Sequence, residues 1–383
     1  MGAAANRIYN LASGLSERDN EVTVICPLPN YPEGRVFQDY RGKLYAKESE
    51  GALSVYRYWI YPSVSSNPLL RVLSMLSFAV SLWGYVLRAK AISKVDYVII
   101  QNSPLLVSMS GIVLFKKIFR KKIALNVSDL WPLSALELGA IKKGRMYHIL
   151  EWIERFNYRN ADCVLGQSNE IIDHVQEIEK TPSFLYRNLQ PQSGASNSGG
   201  IVDRVGSVRL VYAGLLGVAQ GMLDMVKAIN FSELSAELEI YGHGNEEEAI
   251  RRFIDENPEC GVSYKGSLKK EELHARLPEY DASIVPLKTR IKGAVPSKIF
   301  ELIYLQVPVL FCGGGEGARI VDEFNVGFSS EPGDFESLKL NIRKLGEMSA
   351  SDLQALKQNC INAAQNSLDF DKQLDELVAW LKK

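Results

Sequence analysis

Residues 295–301 (VPSKIFE) bring together the side chain types that a nucleotide site needs. Pro296 and Ser297 are typical of a helix start, and Lys298 and Glu301 then lie one turn apart on one face of the helix. A lysine there can pair with a diphosphate, and an ionised glutamate can accept hydrogen bonds from both hydroxyls of a ribose. Spacing alone leaves a second interpretation open, a surface ion pair on an amphipathic helix.

A glycine-rich turn, residues 213–221 (AGLLGVAQG), lies between a predicted strand and a predicted helix. Glycines let the backbone approach a ligand closely, and N–H groups at a helix start carry partial positive charge that suits phosphate. Gly214, Gly217, Gln220 and Gly221 are therefore candidates for a diphosphate cradle. Such turns also occur for purely structural reasons, and this alternative stays open.

Two further turns end predicted strands of the C-terminal half. Gly242, His243 and Gly244 follow one strand, and Gly266 and Ser267 follow the next. Ligands of open α/β sheets bind beyond the carboxyl ends of the strands, so we expect these residues near the same ligand. A histidine in such a loop is also commonly ordinary polar surface.

In the N-terminal half, residues 126–132 (NVSDLWP) end a predicted strand. Asp129 stands beside Trp131 and Pro132, where a carboxylate can have a raised pKa or orient an acceptor hydroxyl. The alternative is an aspartate that caps a helix or a turn.

The length of 383 residues predicts two domains. Apolar strands alternate with helical segments in residues 1–188, where the opening strand of a Rossmann-like unit is missing, and the alternation restarts over residues 206–365. A polar, glycine- and serine-rich linker at 189–205 separates them, and residues 366–383 form a terminal helix that we expect to pack toward the first domain. The predicted fold class is α/β, with two doubly wound Rossmann-like domains.

Composition indicates which partners and which cellular compartment to expect. Lys plus Arg (44) balances Asp plus Glu (45), which argues against nucleic acid as a partner. The five cysteines are scattered without CxxC pairs, which argues against disulfides and structural zinc and favours the cytoplasm. Residues 369–371 (DFD) open the last predicted helix, so we interpret them as a cap and predict no metal site.

The PSKxxE segment of residues 296–301 resembles the donor-site helix of family 4 glycosyltransferases of the GT-B fold, especially bacterial O-antigen and capsule enzymes. Residues 2–37, with their NYPEG segment, resemble the acceptor-side turn, first helix and second strand of that family. The resemblance covers almost the whole chain and implies two domains that face a cleft. The most similar subgroup transfers amino-deoxy sugars such as N-acetylfucosamine.

The resemblance assigns roles to individual residues. Asp129 is the candidate catalytic residue. The three glycine turns and the residues that start the PSKxxE helix are the candidates for binding the donor nucleotide-sugar. The acceptor-side candidates are Gly2, Asn6, Arg7, Asn30 and Trp131. The donor-site candidates are Gly214, Gly217, Gln220, Gly221, Gly242, His243, Gly244, Gly266, Ser267, Ser297, Lys298 and Glu301.

The sequence departs from the family pattern at two places. The family's first glycine loop often contributes an Arg and a Lys to the diphosphate, whereas this loop has Val218 and Gln220. The first of the family's two glutamates falls on Gly293, so that only Glu301 matches. Lys298 is then expected to carry more of the charge that the diphosphate needs.

The resulting hypothesis is transfer of a sugar from a nucleoside-diphosphate sugar, with UDP expected, to an acceptor hydroxyl in cell-surface polysaccharide biosynthesis. The resemblance implies retention of anomeric configuration, and no metal or cofactor is expected. A polyprenyl-diphosphate-linked glycan is one acceptor to consider. Two alternatives remain open: a nucleotide-sugar 2-epimerase, and a non-catalytic accessory subunit that binds sugar nucleotide.

Two apolar segments favour contact with a membrane surface, residues 72–87 (VLSMLSFAVSLWGYVL) and 105–115 (LLVSMSGIVLF). The first is short for a span and contains serines, so we interpret it as a buried or interfacial helix. A basic run follows the second segment, at Lys116, Lys117, Arg120, Lys121 and Lys122. Together they predict peripheral contact with anionic lipid on the inner face of the cell membrane.

Overall fold

The computed structural model describes residues 3–31, 33–65, 67–88, 92–191 and 206–383. Gly2 and most of the predicted linker lie outside the described residues. The chain divides into two compact units. Unit 1 comprises Met1–Pro191 and Asp371–Lys383, and unit 2 comprises Gln192–Phe370.

Unit 1 contains seven strands and six helices among the described residues before position 192. The strands are β1 Thr23–Pro27, β2 Tyr45–Glu50, β3 Leu53–Tyr58, β4 Tyr97–Gln101, β5 Lys122–Val127, β6 Cys163–Gly166 and β7 Ser183–Leu185. The helices are α1 Ala3–Ser16, α2 Pro68–Ser81, α3 Leu105–Ile112, α4 Leu133–Glu137, α5 Arg145–Asn160 and α6 Asn169–Ile178.

The strands of unit 1 form two sheets. One has the order β1-β3-β2, with β1 parallel and β2 antiparallel to β3. The other is a parallel sheet of order β4-β5-β6-β7. In β5 every residue after Lys122 is buried, because helices cover both faces of a parallel sheet. The carboxyl ends of β4, β5 and β6 meet at one edge.

Unit 2 repeats the strand and helix alternation with a single sheet. Its strands are β8 Val208–Ala213, β9 Ala236–Tyr241, β10 Val262–Tyr264, β11 Ala282–Pro286, β12 Val309–Cys312 and β13 Gly327–Ser330. Its helices are α7 Met222–Ala228, α8 Glu247–Glu256, α9 Lys270–Arg276, α10 Ser297–Tyr304, α11 Gly315–Glu323, α12 Phe335–Glu347 and α13 Ala350–Asn366.

The sheet of unit 2 has the order β10-β9-β8-β11-β12-β13, and every pair is parallel. Strand order therefore reverses between β8 and β11, which is the switch point where doubly wound sheets bind nucleotides. Apolar residues of β8, β9 and β11 and of helices α7, α8 and α12 build the core on one face. This sheet confirms the predicted Rossmann-like organisation of the C-terminal half.

The last helix, α14 Phe370–Leu381, returns the chain to unit 1. Arg18 holds it through Asp371 at 3.0 Å and Asp375 at 2.6 Å. Gln373 also accepts a hydrogen bond from the backbone of Arg187 at 2.8 Å, and the Trp380 ring packs 5.6 Å from that of Phe184. Asp371 thus serves as an ion-pair partner within unit 1.

The two apolar segments differ in exposure. Helix α2 starts at Pro68, capped by the Asn67 side chain, and continues as a 3-10 helix to Arg88. Among the described residues, its Leu69–Leu87 stretch is the one helix that is long and apolar enough to cross a membrane, and 22% of that window is buried. The test uses length and composition alone, and the core helix of a soluble protein can also pass it. By contrast α3 and the π-helix Val113–Ile118 contribute Ile112, Leu114 and other residues to the core of unit 1.

The basic run at 116–122 lies at the amino end of β5, whereas Asp129 follows its carboxyl end. Lys116 pairs with Asp162 at 2.8 Å, and Lys121 donates to the carbonyls of Ser93 and Val95. Much of this positive charge therefore serves the packing of unit 1.

Candidate functional site

The predicted donor-site residues of unit 2 surround the carboxyl end of its sheet. We name this region the donor edge. It consists of the turns at 214–221, 242–244 and 266–267 and the start of α10. The turns at 214–221, 242–244 and 266–267 follow β8, β9 and β10, and α10 follows β11. Backbone hydrogen bonds link the first three turns, from Gly214 to the carbonyl of Tyr241 at 3.0 Å and from Gly242 to that of Gly266 at 2.8 Å. One edge of one sheet therefore carries all these residues.

Glu301 is the best-defined group of the donor edge. Its carboxylate lies 2.7 Å from Lys298 Nζ on the same helix and 2.6 Å from His274 Nε2 on α9. The Glu301 side chain is 20% exposed. Burial alone would raise the pKa of Glu301, but the hydrogen bond with His274 and the charge of Lys298 outweigh it and lower the pKa to about 2.

The Lys298–Glu301 ion pair, which the spacing left open as the alternative to a nucleotide site, is present, and His274 makes it a group of three. Pro296 at the start of α10 gives no side-chain hydrogen bond to the helix terminus, and Ser297 is its first residue. A carboxylate that stays ionised beside an uncapped helix start can accept hydrogen bonds from hydroxyls, while Lys298 offers a cation to phosphate.

Close backbone packing explains two of the predicted glycines. A Cβ on Gly242, which has a φ of 142°, would be 1.8 Å from the carbonyl oxygen of Gly214. A Cβ on Gly244 would be 2.2 Å from the carbonyl oxygen of Leu216. These two glycines let the turn at 242–244 touch the turn at 214–221, so both have a structural role in packing.

The remaining donor-edge candidates differ in what they contact. Gly221 begins α7 with a φ of 66°. The Oε1 atom of Gln220 is buried without a hydrogen-bond partner among the described residues. His243 is largely exposed and lies 3.1 Å from Glu247. A Cβ on Gly266 would meet open space.

In unit 1 the structure brings Arg7 to the carboxyl ends of three strands. Arg7 lies on α1 and is 5% exposed. Its guanidinium donates to the side-chain oxygen of Gln167, which follows β6. It also donates to the side-chain oxygen of Gln101, the last residue of β4, at 3.0 Å. Gln101 in turn donates to Ser128 Oγ at 2.7 Å. These four residues form the Arg7 cluster.

Asp129 follows Ser128 and is exposed. Its carboxylate has no hydrogen-bond partner in the described ranges, and the residue immediately before α4 is Pro132, so Asp129 is not a helix cap. Burial lowers the pKa of the Arg7 guanidinium, while the charge of Asp129 acts in the opposite direction. The structure therefore couples the predicted catalytic residue to the one buried cation of the Arg7 cluster.

The other acceptor-side candidates are less connected. Asn6 is exposed, and the side chain of Asn30 donates to the carbonyl of Leu28 at 2.7 Å within a turn. Trp131 precedes Pro132 through a cis peptide bond. The position of Gly2 lies outside the described residues.

Sequence reasoning missed His274, Gln101 and Gln167. The two glutamines had a detectable signal, because each stands at the end of an apolar strand and is followed by Asn or Ser (VIIQNS and VLGQS). His274 lies inside an ordinary amphipathic helix sequence, and nothing in it indicated the partner 27 positions away. No group of three or more His, Cys, Asp and Glu side chains in the described part of the chain could hold a metal ion.

Comparisons with known proteins agree with this architecture. Residues 2–182 match the family model of the glycosyl transferase 4-like domain. The chain is 24% identical to the probable glycosyltransferase WbjE of Pseudomonas aeruginosa over 79% of its own length and 78% of the relative's. It is 25% identical to the putative colanic acid biosynthesis glycosyl transferase WcaI of Escherichia coli, over 76% and 74% respectively.

A solved structure of Anabaena HepE in complex with UDP and glucose shares the fold, with a TM-score of 0.63 and 13% identity over 95% of this chain and 100% of that one. With its two Rossmann-like units, the chain is a glycosyltransferase of the GT-B fold. Its N-terminal half matches a glycosyl transferase 4-like domain, and more than three quarters of the chain is similar to the glycosyltransferases WbjE and WcaI.

Proposed function

We propose that this glycosyltransferase moves a sugar from a UDP-sugar to an acceptor hydroxyl of a cell-surface polysaccharide. The observation that carries the proposal is the group of Glu301, Lys298 and His274 at the donor edge. It keeps a carboxylate ionised next to a cation at the switch point of the sheet, which is the pairing that a ribose and a diphosphate require.

In this proposal each unit has its own task. Glu301 binds the ribose hydroxyls, and Lys298 with the start of α10 stabilises the departing diphosphate electrostatically. In unit 1, Asp129 orients the acceptor hydroxyl, and Arg7 fixes the local charge. The HepE complex supports UDP as the nucleotide, since that structure contains UDP and glucose on the same fold.

The finer assignments follow the sequence resemblance. In this proposal the transfer retains the anomeric configuration and requires no metal. The acceptor is an O-antigen or capsule glycan, which can be polyprenyl-diphosphate-linked, and the donor is of the N-acetylfucosamine type. The colanic acid role in the name of WcaI supports a polysaccharide acceptor. A 2-epimerase would use a similar nucleotide pocket, but both curated relatives are named as glycosyltransferases.

A screen of UDP-, GDP-, TDP- and ADP-sugars by thermal shift tests the donor assignment, since a ligand stabilises in proportion to the logarithm of concentration over Kd. The best donor is then incubated with lipid-linked and soluble acceptors, with and without EDTA, and the anomeric proton is followed by NMR. Stabilisation by another nucleotide class alone would overturn the UDP assignment. Change at C2 of the donor without an acceptor would favour the epimerase.

We also propose peripheral attachment to the inner face of the cell membrane. Exposed apolar side chains follow one another along α2 at Leu69, Leu73, Leu76 and Val80. A second exposed stripe lies on α5, at Met146, Ile149 and Trp152, beside Lys142, Lys143 and Arg145. Because α5 follows the carboxyl end of β5, these basic residues suit an acceptor on anionic lipid better than the run at 116–122 does.

Liposome flotation tests the attachment. Binding to anionic vesicles should exceed binding to neutral ones and should weaken in high salt. Replacing Ile149 and Trp152 by Ser should reduce the bound fraction, while Leu340→Ser, an equally exposed apolar residue of α12, should leave it unchanged. Absence of binding to anionic vesicles at low salt would refute the attachment without touching the donor assignment.

A further inference from the structure

The turn at 214–221 contains no cation, although a diphosphate at the switch point must approach it. Two carboxylates lie beside the turn instead. Asp224 is in the first turn of α7, and Glu246 accepts a hydrogen bond from the backbone N–H of Leu223 at 3.3 Å. Part of the α7 terminus is therefore already occupied by a negative charge. A diphosphate here requires a cation from another segment.

Lys288 lies against this turn from the opposite strand of the switch point. Strand β11 ends at Pro286, and two residues later the Lys288 N–H donates to the carbonyl oxygen of Ala219 at 2.9 Å. A Cβ on Gly221 would be 3.4 Å from Lys288 Cβ. The turn thus fixes the backbone of Lys288, and its long side chain extends from a fixed point.

The amine of Lys288 contacts Asp224, with 2.8 Å between Nζ and Oδ2, and both side chains are half exposed. This hydrogen bond raises the pKa of Lys288 above its ordinary value, which is itself far above neutral pH. An exposed ion pair is weak because water competes for both partners. A diphosphate, with more charge and more acceptor oxygens than one carboxylate, can displace Asp224.

We propose that Lys288 is a diphosphate-binding residue, which exchanges Asp224 for the diphosphate of the nucleotide-sugar donor. Lys288 then supplies the charge that the turn at 214–221 lacks, together with Lys298 on α10. Asp224 holds the amine beside the turn and opposes the incoming phosphate, so it limits affinity. The inference rests on the proposed function, since it concerns the same donor edge.

Calorimetry with UDP and UMP tests the exchange in three variants. Lys288→Gln should weaken UDP binding by about tenfold, because the loss of a charge-assisted bond is partly offset by the loss of the Asp224 pair. It should weaken UMP binding less. Asp224→Asn should tighten UDP by about threefold, because the competitor for Lys288 is removed. The double variant should bind UDP no more weakly than Lys288→Gln alone, and the gain from Asp224→Asn should be smaller than in the wild-type background because Lys288 is no longer there to be released.

Lys227→Gln is the matched control, because it removes the same charge from the last turn of α7. It should leave UDP affinity unchanged. If Lys288→Gln binds UDP as tightly as the wild type does, the inference is overturned and the proposed function stands. Equal losses of thermal stability in Lys288→Gln and Asp224→Asn with unchanged UDP affinity would likewise reduce the pair to a structural contact. A wild-type chain that binds none of UDP, GDP, TDP and ADP would refute both proposals.

Discussion

The two units of this glycosyltransferase hold central side chains of opposite charge at the carboxyl ends of their parallel strands. In unit 1 the buried Arg7 cation is held by the neutral amides of Gln101 and Gln167. In unit 2 the Glu301 carboxylate is held by two basic side chains, Lys298 and His274. Within the described residues, no carboxylate forms an ion pair with Arg7.

This difference separates stability from function. A buried charge without a counter-charge has a large desolvation cost and adds little to stability, so the Arg7 cluster is best explained by the charge it presents. The Glu301 group is already neutralised, which keeps its carboxylate ionised and oriented. Unit 1 therefore holds a buried positive charge that interacts with Asp129, whereas unit 2 holds a prepared acceptor of hydrogen bonds.

The largest effect on activity is expected for replacement of Asp129. This variant tests whether the two units have separate tasks. Asp129→Asn should reduce transfer by about 10²- to 10⁴-fold, the usual loss on removing a group that acts on a proton or a hydroxyl. UDP affinity should stay within about twofold, because the nucleotide residues belong to unit 2. Turnover near the wild-type rate would remove Asp129 from the catalytic assignment.

In unit 2 the comparison predicts losses in binding. Glu301→Gln and Lys298→Ala should each weaken UDP by about 10- to 100-fold, since a charge-assisted hydrogen bond contributes about 1.5–3 kcal/mol. Glu248→Gln, on an exposed pair with Arg252, is the control and should bind UDP normally. Calorimetry that finds unchanged affinity in both variants would rule out the donor-site assignment.

Arg7→Met sharpens the comparison in unit 1. We expect transfer to fall by about tenfold through kcat, with unchanged UDP affinity and an unfolding free energy within about 1 kcal/mol of the wild type. All five tryptophans lie in unit 1, so their fluorescence reports its unfolding, and they are Trp59, Trp83, Trp131, Trp152 and Trp380. A loss of several kcal/mol without any change in kcat would make Arg7 a purely structural residue.

The smallest effect concerns acid stability of unit 2. The pKa of Glu301 is about 2 in the folded chain against an ordinary 4.5. A lowered pKa stabilises the fold above about pH 4.5, and this contribution disappears as the pH falls toward 2. Between neutral pH and about pH 3.5 the free energy of unfolding of the wild type should therefore fall by about 1–2 kcal/mol more than that of Glu301→Gln. Urea unfolding followed by circular dichroism measures it, and equal losses would contradict the lowered pKa.

The sequence predicted much of unit 2 and less of unit 1. Strand alternation and the PSKxxE spacing were enough to place Glu301, Lys298 and the turns at one edge, because parallel strands order their loops. The two-sheet arrangement of unit 1 was not predicted, since apolar runs do not reveal which strands pair. His274 and Lys288 were missed because contacts between distant segments depend on strand order, which the sequence pattern alone does not give.

The return of α14 to unit 1 has a consequence for synthesis on the ribosome. Unit 2 is encoded by one continuous stretch, 192–370, so all of its residues are synthesised before the last helix. Unit 1 must wait for Asp371, Gln373, Asp375 and Trp380 before Arg18, Phe184 and Arg187 gain their partners. The half of the enzyme that is translated first is therefore completed only after the whole chain has been synthesised, and a chain that ended at 370 would contain all of unit 2 but lack the last helix of unit 1.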